Sequence, residues 1–262
     1  MGFTDSAYWG LRADKVIADL QEGKRRDGRK FDEYRKISIK KNISKNADGS
    51  ARIKLGDTEV MAGLKWNLAK PYSDSPNKGG MATGMELTPA GDPTFEVGPP
   101  RENAVELARV VDRCIREAKT FDFEKLCIEE GEAALFVYID CYIIDNGGNM
   151  FDACSIAGLA ALTDAKMPKL EDGKIIRKEF SGKLKLNAQP VLTSFAKIKN
   201  HVVIDPSLEE DKALDARFHC GTTEKDILCA FQKGGNGSFT EKEINDCCEL
   251  ALKQGKKIRK LM

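Results

Sequence analysis

Bulk charge of either sign is missing from this chain: 42 Lys and Arg stand against 41 Asp and Glu in 262 residues, a formal net charge of +1. A nucleic-acid site must therefore be a local patch and not a global field. Zinc-ligand spacing is missing as well. None of the eight cysteines forms a CxxC pair, and His201 and His219 stand at no ligand spacing from a cysteine pair. No metal or other cofactor is expected. The cysteines, most of them inside apolar runs, read as reduced core thiols of an intracellular protein. No apolar run approaches the roughly 20 residues of a membrane span. The mixed charges over residues 1–23 fit neither a secretory signal nor a transit peptide. A soluble, cytoplasmic protein without a membrane partner is the expectation. Disorder is excluded by the 41% apolar content, which in a chain of this length can bury a sizeable core.

What is present is a succession of strands and helices. Leu11, Val16, Ile17 and Leu20 recur at helical spacing, and Gly23 is a fitting stop, so residues 6–22 are predicted helical. Alternation at Ile37 and Ile39, at Ala51, Ile53 and Leu55, and at Val60, Ala62 and Leu64 predicts an antiparallel three-strand meander. Residues 69–100, rich in Pro, Gly, Ser and Asp, read as one long loop, functional and not idle. A helix over about 102–119 follows, then strands over 126–129 and 133–144. The turn Asp145-Asn146-Gly147-Gly148 leads to a helix over 153–165 that is apolar nearly all round and should be buried. Residues 166–183 read as a charged connector. Four strands are predicted over 191–198, 202–205, 213–220 and 227–232, and Thr240 with Glu243 has the capping-box spacing of a last helix. The fold class is α+β, mixed β-sheets with packed helices. An N-terminal helix over 1–23 would precede domains over 24–183 and 184–262.

Particular strings narrow this further. Arg26-Asp27-Gly28-Arg29, Tyr34-Arg35, Leu55-Gly56-Asp57-Thr58-Glu59-Val60 and the segment from Glu106 to Arg116 resemble the RNase PH family. Phe95-Glu96-Val97-Gly98-Pro99-Pro100 and the turn from Gly147 to Ala153 resemble the non-catalytic ring subunits of archaeal exosomes. Val203-Ile204-Asp205-Pro206, Glu209-Glu210-Asp211, Gln232-Lys233 and Gly237-Ser238-Phe239-Thr240 continue the likeness. The resemblance implies an RNase PH-like fold and a hexameric ring in which the chain alternates with a catalytic sister subunit. It also implies a cap of RNA-binding subunits and single-stranded RNA as the bound polymer. The implied reaction is phosphorolysis, in which inorganic phosphate attacks the terminal phosphodiester and releases a nucleoside diphosphate.

Phosphorolysis brings a phosphate dianion beside an anionic RNA phosphate, so its site must supply cations and backbone N–H donors. Active relatives follow the Gly-Gly turn with Thr or Ser and then Arg at a helix N-terminus, a ready anion site. Here Gly147-Gly148 continues as Asn149-Met150-Phe151-Asp152, with Met150 about where that arginine would stand. Asp152 is expected to cap the helix with its own carboxylate and repel phosphate. Asp215 lies near the place of the family's general acid and is expected to be structural or vestigial. No catalytic residue is assigned.

Arg109, Arg113 and Arg116 fall in one stripe of their helix, roughly opposite the apolar residues Ala104, Leu107, Ala108, Val111, Ile115 and Ala118. Asp112 with Arg116 is also an ordinary i, i+4 pair of a solvated helix face. The resemblance implies that arginines of this helix grip RNA, Arg109 and Arg113 foremost and Arg116 with them. Two other readings stand beside the silent ring subunit. One is an autonomous phosphate-dependent 3′–5′ exoribonuclease; the other is the inactive ring subunit of a eukaryotic exosome.

Overall fold

The computed structural model describes residues 3–262; Met1 and Gly2 of the predicted N-terminal unit lie outside them. The first elements are α1 (Phe3–Gln21), β1 (Ile37–Lys41), β2 (Gly49–Leu55), β3 (Thr58–Ala69), β4 (Gly80–Leu87) and α2 (Glu102–Glu117). Next come β5 (Cys127–Glu129), β6 (Ala133–Asp145), α3 (Met150–Asp164), β7 (Lys166–Glu171), β8 (Lys174–Lys183) and β9 (Val191–Ile198). The chain ends with β10 (His201–Ile204), α4 (Leu208–Ala213), β11 (Ala216–Thr222), β12 (Leu228–Gly235) and α5 (Glu241–Arg259). No helix among the described residues is long and apolar enough to cross a membrane.

The predicted meander is present as β1-β2-β3. It continues through β6 to β4, which runs parallel to β6, giving the order β1-β2-β3-β6-β4. A second sheet has the order β10-β9-β11-β12. Helix α3 lies between the two sheets, packing on β2 and β3 on one side and on β9 on the other. That placement explains its composition: Ile156, Leu159 and Leu162 are fully buried, and so are the alanines between them. Each large side chain so buried contributes about 1.5–3 kcal/mol. Helix α1 is tied to the second half of the chain, with Val16 and Leu20 packed on Ala196, Ile198 and Val203.

Three expectations need correction. The long loop over 69–100 contains the strand β4. Its glycines hide it from pattern reading, but Gly80 and Gly84 lie where a Cβ would strike the Phe136 ring and the Asp140 carboxylate of β6. The charged connector over 166–183 is the two-stranded hairpin β7–β8, turning at Asp172 and Gly173 with Glu171 opposite Lys174. The predicted strand over 213–220 is shorter, because α4 precedes it. Ser207 and Glu210 form a capping box at the start of α4, the same device that starts α5 at Thr240 and Glu243.

Candidate nucleic-acid interface

Helix α3 begins three residues earlier than expected, and Asn149 caps it. Asn149 adopts a left-handed conformation (φ 51°), and its side-chain oxygen accepts the N–H of Asp152. Asp152 is therefore inside the first turn and is not the cap. Its carboxylate is fully buried and accepts from the Tyr34 hydroxyl (2.5 Å), Asn149 Nδ2 (2.8 Å), and the Ser194 hydroxyl (2.6 Å) and N–H (3.0 Å). Burial pushes its pKa up to about 6, against the pull of these hydrogen bonds.

One backbone donor at the start of α3 is taken by a carboxyl group from α4. The Asn149 N–H donates to Asp211 Oδ2 at 2.6 Å. Burial lifts the Asp211 pKa to about 7, opposed by that N–H and by Arg217 and Arg35. The turn before Asn149 is equally fixed. Gly148 has φ 93°, and a Cβ there would fall 2.4 Å from the Leu208 nitrogen. Arg35 donates to the carbonyls of Gly147 (2.7 Å) and Gly148 (3.1 Å) and grips both oxygens of Asp205. Asp205 also accepts from Arg29 (3.0 Å) and Asn149 Nδ2 (2.8 Å). Arg25, fully buried, pairs with Glu210 at 2.6 Å. The guanidinium groups around this helix end thus serve the chain's own carboxylates.

A cavity of about 510 Å³ opens in front, lined in part by Met150, Phe151, Asp211, Lys212, Arg217 and His219. Arg217 forms an ion pair with Glu106 and lies over the Phe151 ring. The His219 imidazole, pushed down to about 3 by burial, is neutral. Ser194 Oγ is 2.7 Å from His219 Nδ1 but gives its proton to Asp152. A hydroxyl held by a carboxylate is not an activated nucleophile. Asp215 is absent from the cavity: its carboxylate accepts the Lys199 N–H at 2.6 Å and the Lys199 ammonium at 3.4 Å. The side chain assigned near the general acid's place therefore closes a surface turn.

The three predicted arginines do come together. Arg109, Arg113 and Arg116 line one shallow groove of about 400 Å³ along α2, with Thr83 and Asp112. The helix buries more than the expected stripe. Val110 and Cys114 pack with Leu192 and Ala230 of the second sheet, and this carries Arg113 onto β12, where Nη1 donates to Gln232 Oε1 at 3.0 Å. Arg116 is doubly occupied, by Asp112 (2.9 and 3.0 Å) and by the Met81 carbonyl (2.9 Å). Arg109 is exposed and makes no ion pair among the described residues. The groove thus offers one uncommitted guanidinium, one oriented by an amide and one held by an acid. Sequence reasoning missed Asp205, Asp211, Arg35 and Gln232, although all four lie inside the strings that carried the resemblance.

Models of the two domains of the 3′ exoribonuclease (RNase PH) family match residues 33–168 and 188–254. The chain is 45% identical to the exosome complex component Rrp42 of Thermococcus kodakarensis, over 95% of this chain and 93% of that protein. It is also 45% identical to the Rrp42 exosome component of Methanothermobacter thermautotrophicus, over 92% and 90% of the two chains. A chain of the Archaeoglobus fulgidus exosome, solved with RNA bound to the active site, superposes with a TM-score of 0.90. It is 38% identical and covers 97% of this chain and 98% of its own.

Proposed function

The chain belongs to the RNase PH family of 3′ exoribonucleases, and from that premise we propose that it is the non-catalytic ring subunit of an archaeal-type exosome. It alternates in a hexameric ring with a catalytic RNase PH-like sister subunit beneath a cap of RNA-binding subunits. There it holds single-stranded RNA while the sister subunit carries out 3′–5′ phosphorolysis. Its likeness over nearly the whole chain to archaeal exosome components supports the assignment to that assembly.

One observation carries the silence of this subunit: the Asp211 carboxylate, bound to the Asn149 N–H, fills the place where free N–H donors would meet phosphate. Met150 adds no charge there, and Arg29 and Arg35 are committed to Asp205. An autonomous phosphorolytic enzyme would need that cradle open and cationic. Arg109 and Arg113 are the RNA-gripping residues. A guanidinium gives paired, charge-assisted hydrogen bonds to phosphate, and these two are not consumed by carboxylates. Arg116 is a lesser contact, because Asp112 holds its fork.

Co-expression with the catalytic RNase PH-type chain of the same organism tests the reading. A ring-sized particle that retains single-stranded RNA in a salt-dependent way is the expected result. Failure of the two chains to associate contradicts it.

A further inference from the structure

A second basic groove lies apart from α2, at the β7–β8 hairpin. Residues 166–185 carry seven Lys and Arg against three Asp and Glu. With the turn over 45–48 that precedes β2 and the end of β3, the hairpin encloses a groove of about 650 Å³. Lys45, Lys174, Arg177 and Lys178 line it and make no ion pair among the described residues, whereas the neighbouring Lys169 pairs with Glu179 at 2.9 Å. The base of the hairpin is fixed, since the Trp66 indole N–H donates to the Lys166 carbonyl at 2.8 Å. At the rim Phe180 is 39% exposed, with the Lys166 ammonium 5.1 Å from its ring centre.

Uncompensated cations along a groove with an accessible aromatic edge suit a flexible polyanion that carries planar faces. An acidic polypeptide would satisfy the cations and leave the ring unused. The sheet connects this groove to the arginines. In register, Trp66 lies opposite Val137 and Val137 opposite Met81, the residue whose carbonyl holds Arg116. Two strand spacings, about 10 Å, separate Trp66 from Met81 across the sheet. The adjacent row, Lys65, Tyr138 and Ala82, crosses the outer face of the same strands, and Tyr138 is 36% exposed.

We infer that the β7–β8 groove is a second contact for single-stranded RNA, engaged by the same strand that passes the α2 arginines. The inference rests on the RNA-holding reading but uses none of the same side chains. Its test uses the assembled ring and a labelled oligouridine, with the triple variant Lys174→Gln, Arg177→Gln, Lys178→Gln and, separately, Phe180→Ala. Loss of three phosphate contacts should weaken binding roughly tenfold and flatten the log–log salt slope by about 2. Phe180→Ala should weaken binding without changing that slope. All the changed side chains are on the surface, and an unaltered melting curve verifies folding. Unchanged affinity and slope in the triple variant overturn the inference, also where that variant instead loses a protein partner. If Arg109→Gln with Arg113→Gln abolishes retention while the triple variant keeps it, the groove fails and the ring-subunit reading stands. If the unaltered ring retains no RNA, both fall.

Discussion

Asp211 reaches from α4 to the first turn of α3 and takes the N–H of Asn149 at 2.6 Å. Two segments 62 residues apart in the chain thereby meet at the start of the helix, where the chain's own carboxyl group takes a backbone donor. Gly147, Gly148, Arg35 and Asp205 hold the turn before that helix in a fixed geometry. A tethered carboxylate has a high effective concentration, so dissolved phosphate competes poorly for the same donor.

Removing the tethered charge should therefore uncover the donor. Asp211→Ala combined with Met150→Arg is expected to bind orthophosphate measurably in calorimetric titration, where the unaltered chain gives no heat. No binding by the double variant would place the obstruction elsewhere.

The pKa of Asp211 has a consequence for stability. Folding raises it from 3.8 to about 7, so between these values the folded chain holds more protons than the unfolded one. From this group, stability is greatest below about pH 4 and is lost as pH rises towards 7. Asp211→Asn removes that dependence. Relative to the unaltered chain the variant should gain stability steadily from pH 4 to 7, on the order of 1–2 kcal/mol after allowing for solvent access. Urea unfolding across this range measures it, and a constant difference would contradict the assignment.

Asp205 is the hub of the turn, buried and serving Arg29, Arg35 and Asn149. Asp205→Ala leaves two guanidinium groups without their shared partner and should cost about 3–5 kcal/mol in denaturant unfolding. Asp205→Asn, which keeps the shape and some hydrogen bonds, should cost less.

On α2, Arg109→Gln with Arg113→Gln should weaken RNA retention by the assembled ring and reduce the salt slope by about 1.4, the share of two single-strand phosphate contacts. Arg116→Gln should change affinity by less than about twofold, because its charge is already matched by Asp112. Fluorescence anisotropy at several salt concentrations separates the two. Equal losses from all three arginines would contradict the ranking.

Much of the fold was legible because burial imposes period. The meander was written in the alternation around Ile53 and Val60, and α3 in its unbroken apolar run. Legibility failed where another demand overwrote the period. In β4 small residues make room for large side chains on β6. In β8 both faces meet solvent, so charge conceals the strand, although Asp172-Gly173 was a usable hairpin signal. Of the candidate site, the arginine stripe was readable because helical spacing is local. The Asn149–Asp211 bond was not, since it depends on how α4 docks on α3. Placing the capping role on Asp152 found the correct helix end and the wrong residue: Asn149 caps it and Asp211 reaches it from α4.

The most direct measurement is release of nucleoside diphosphate from labelled single-stranded RNA in orthophosphate, using this chain free of any companion and then with the catalytic RNase PH-type chain added. No release from the chain alone and sustained release from the pair is the predicted result. Phosphate-dependent diphosphate production by the solitary chain would contradict the account.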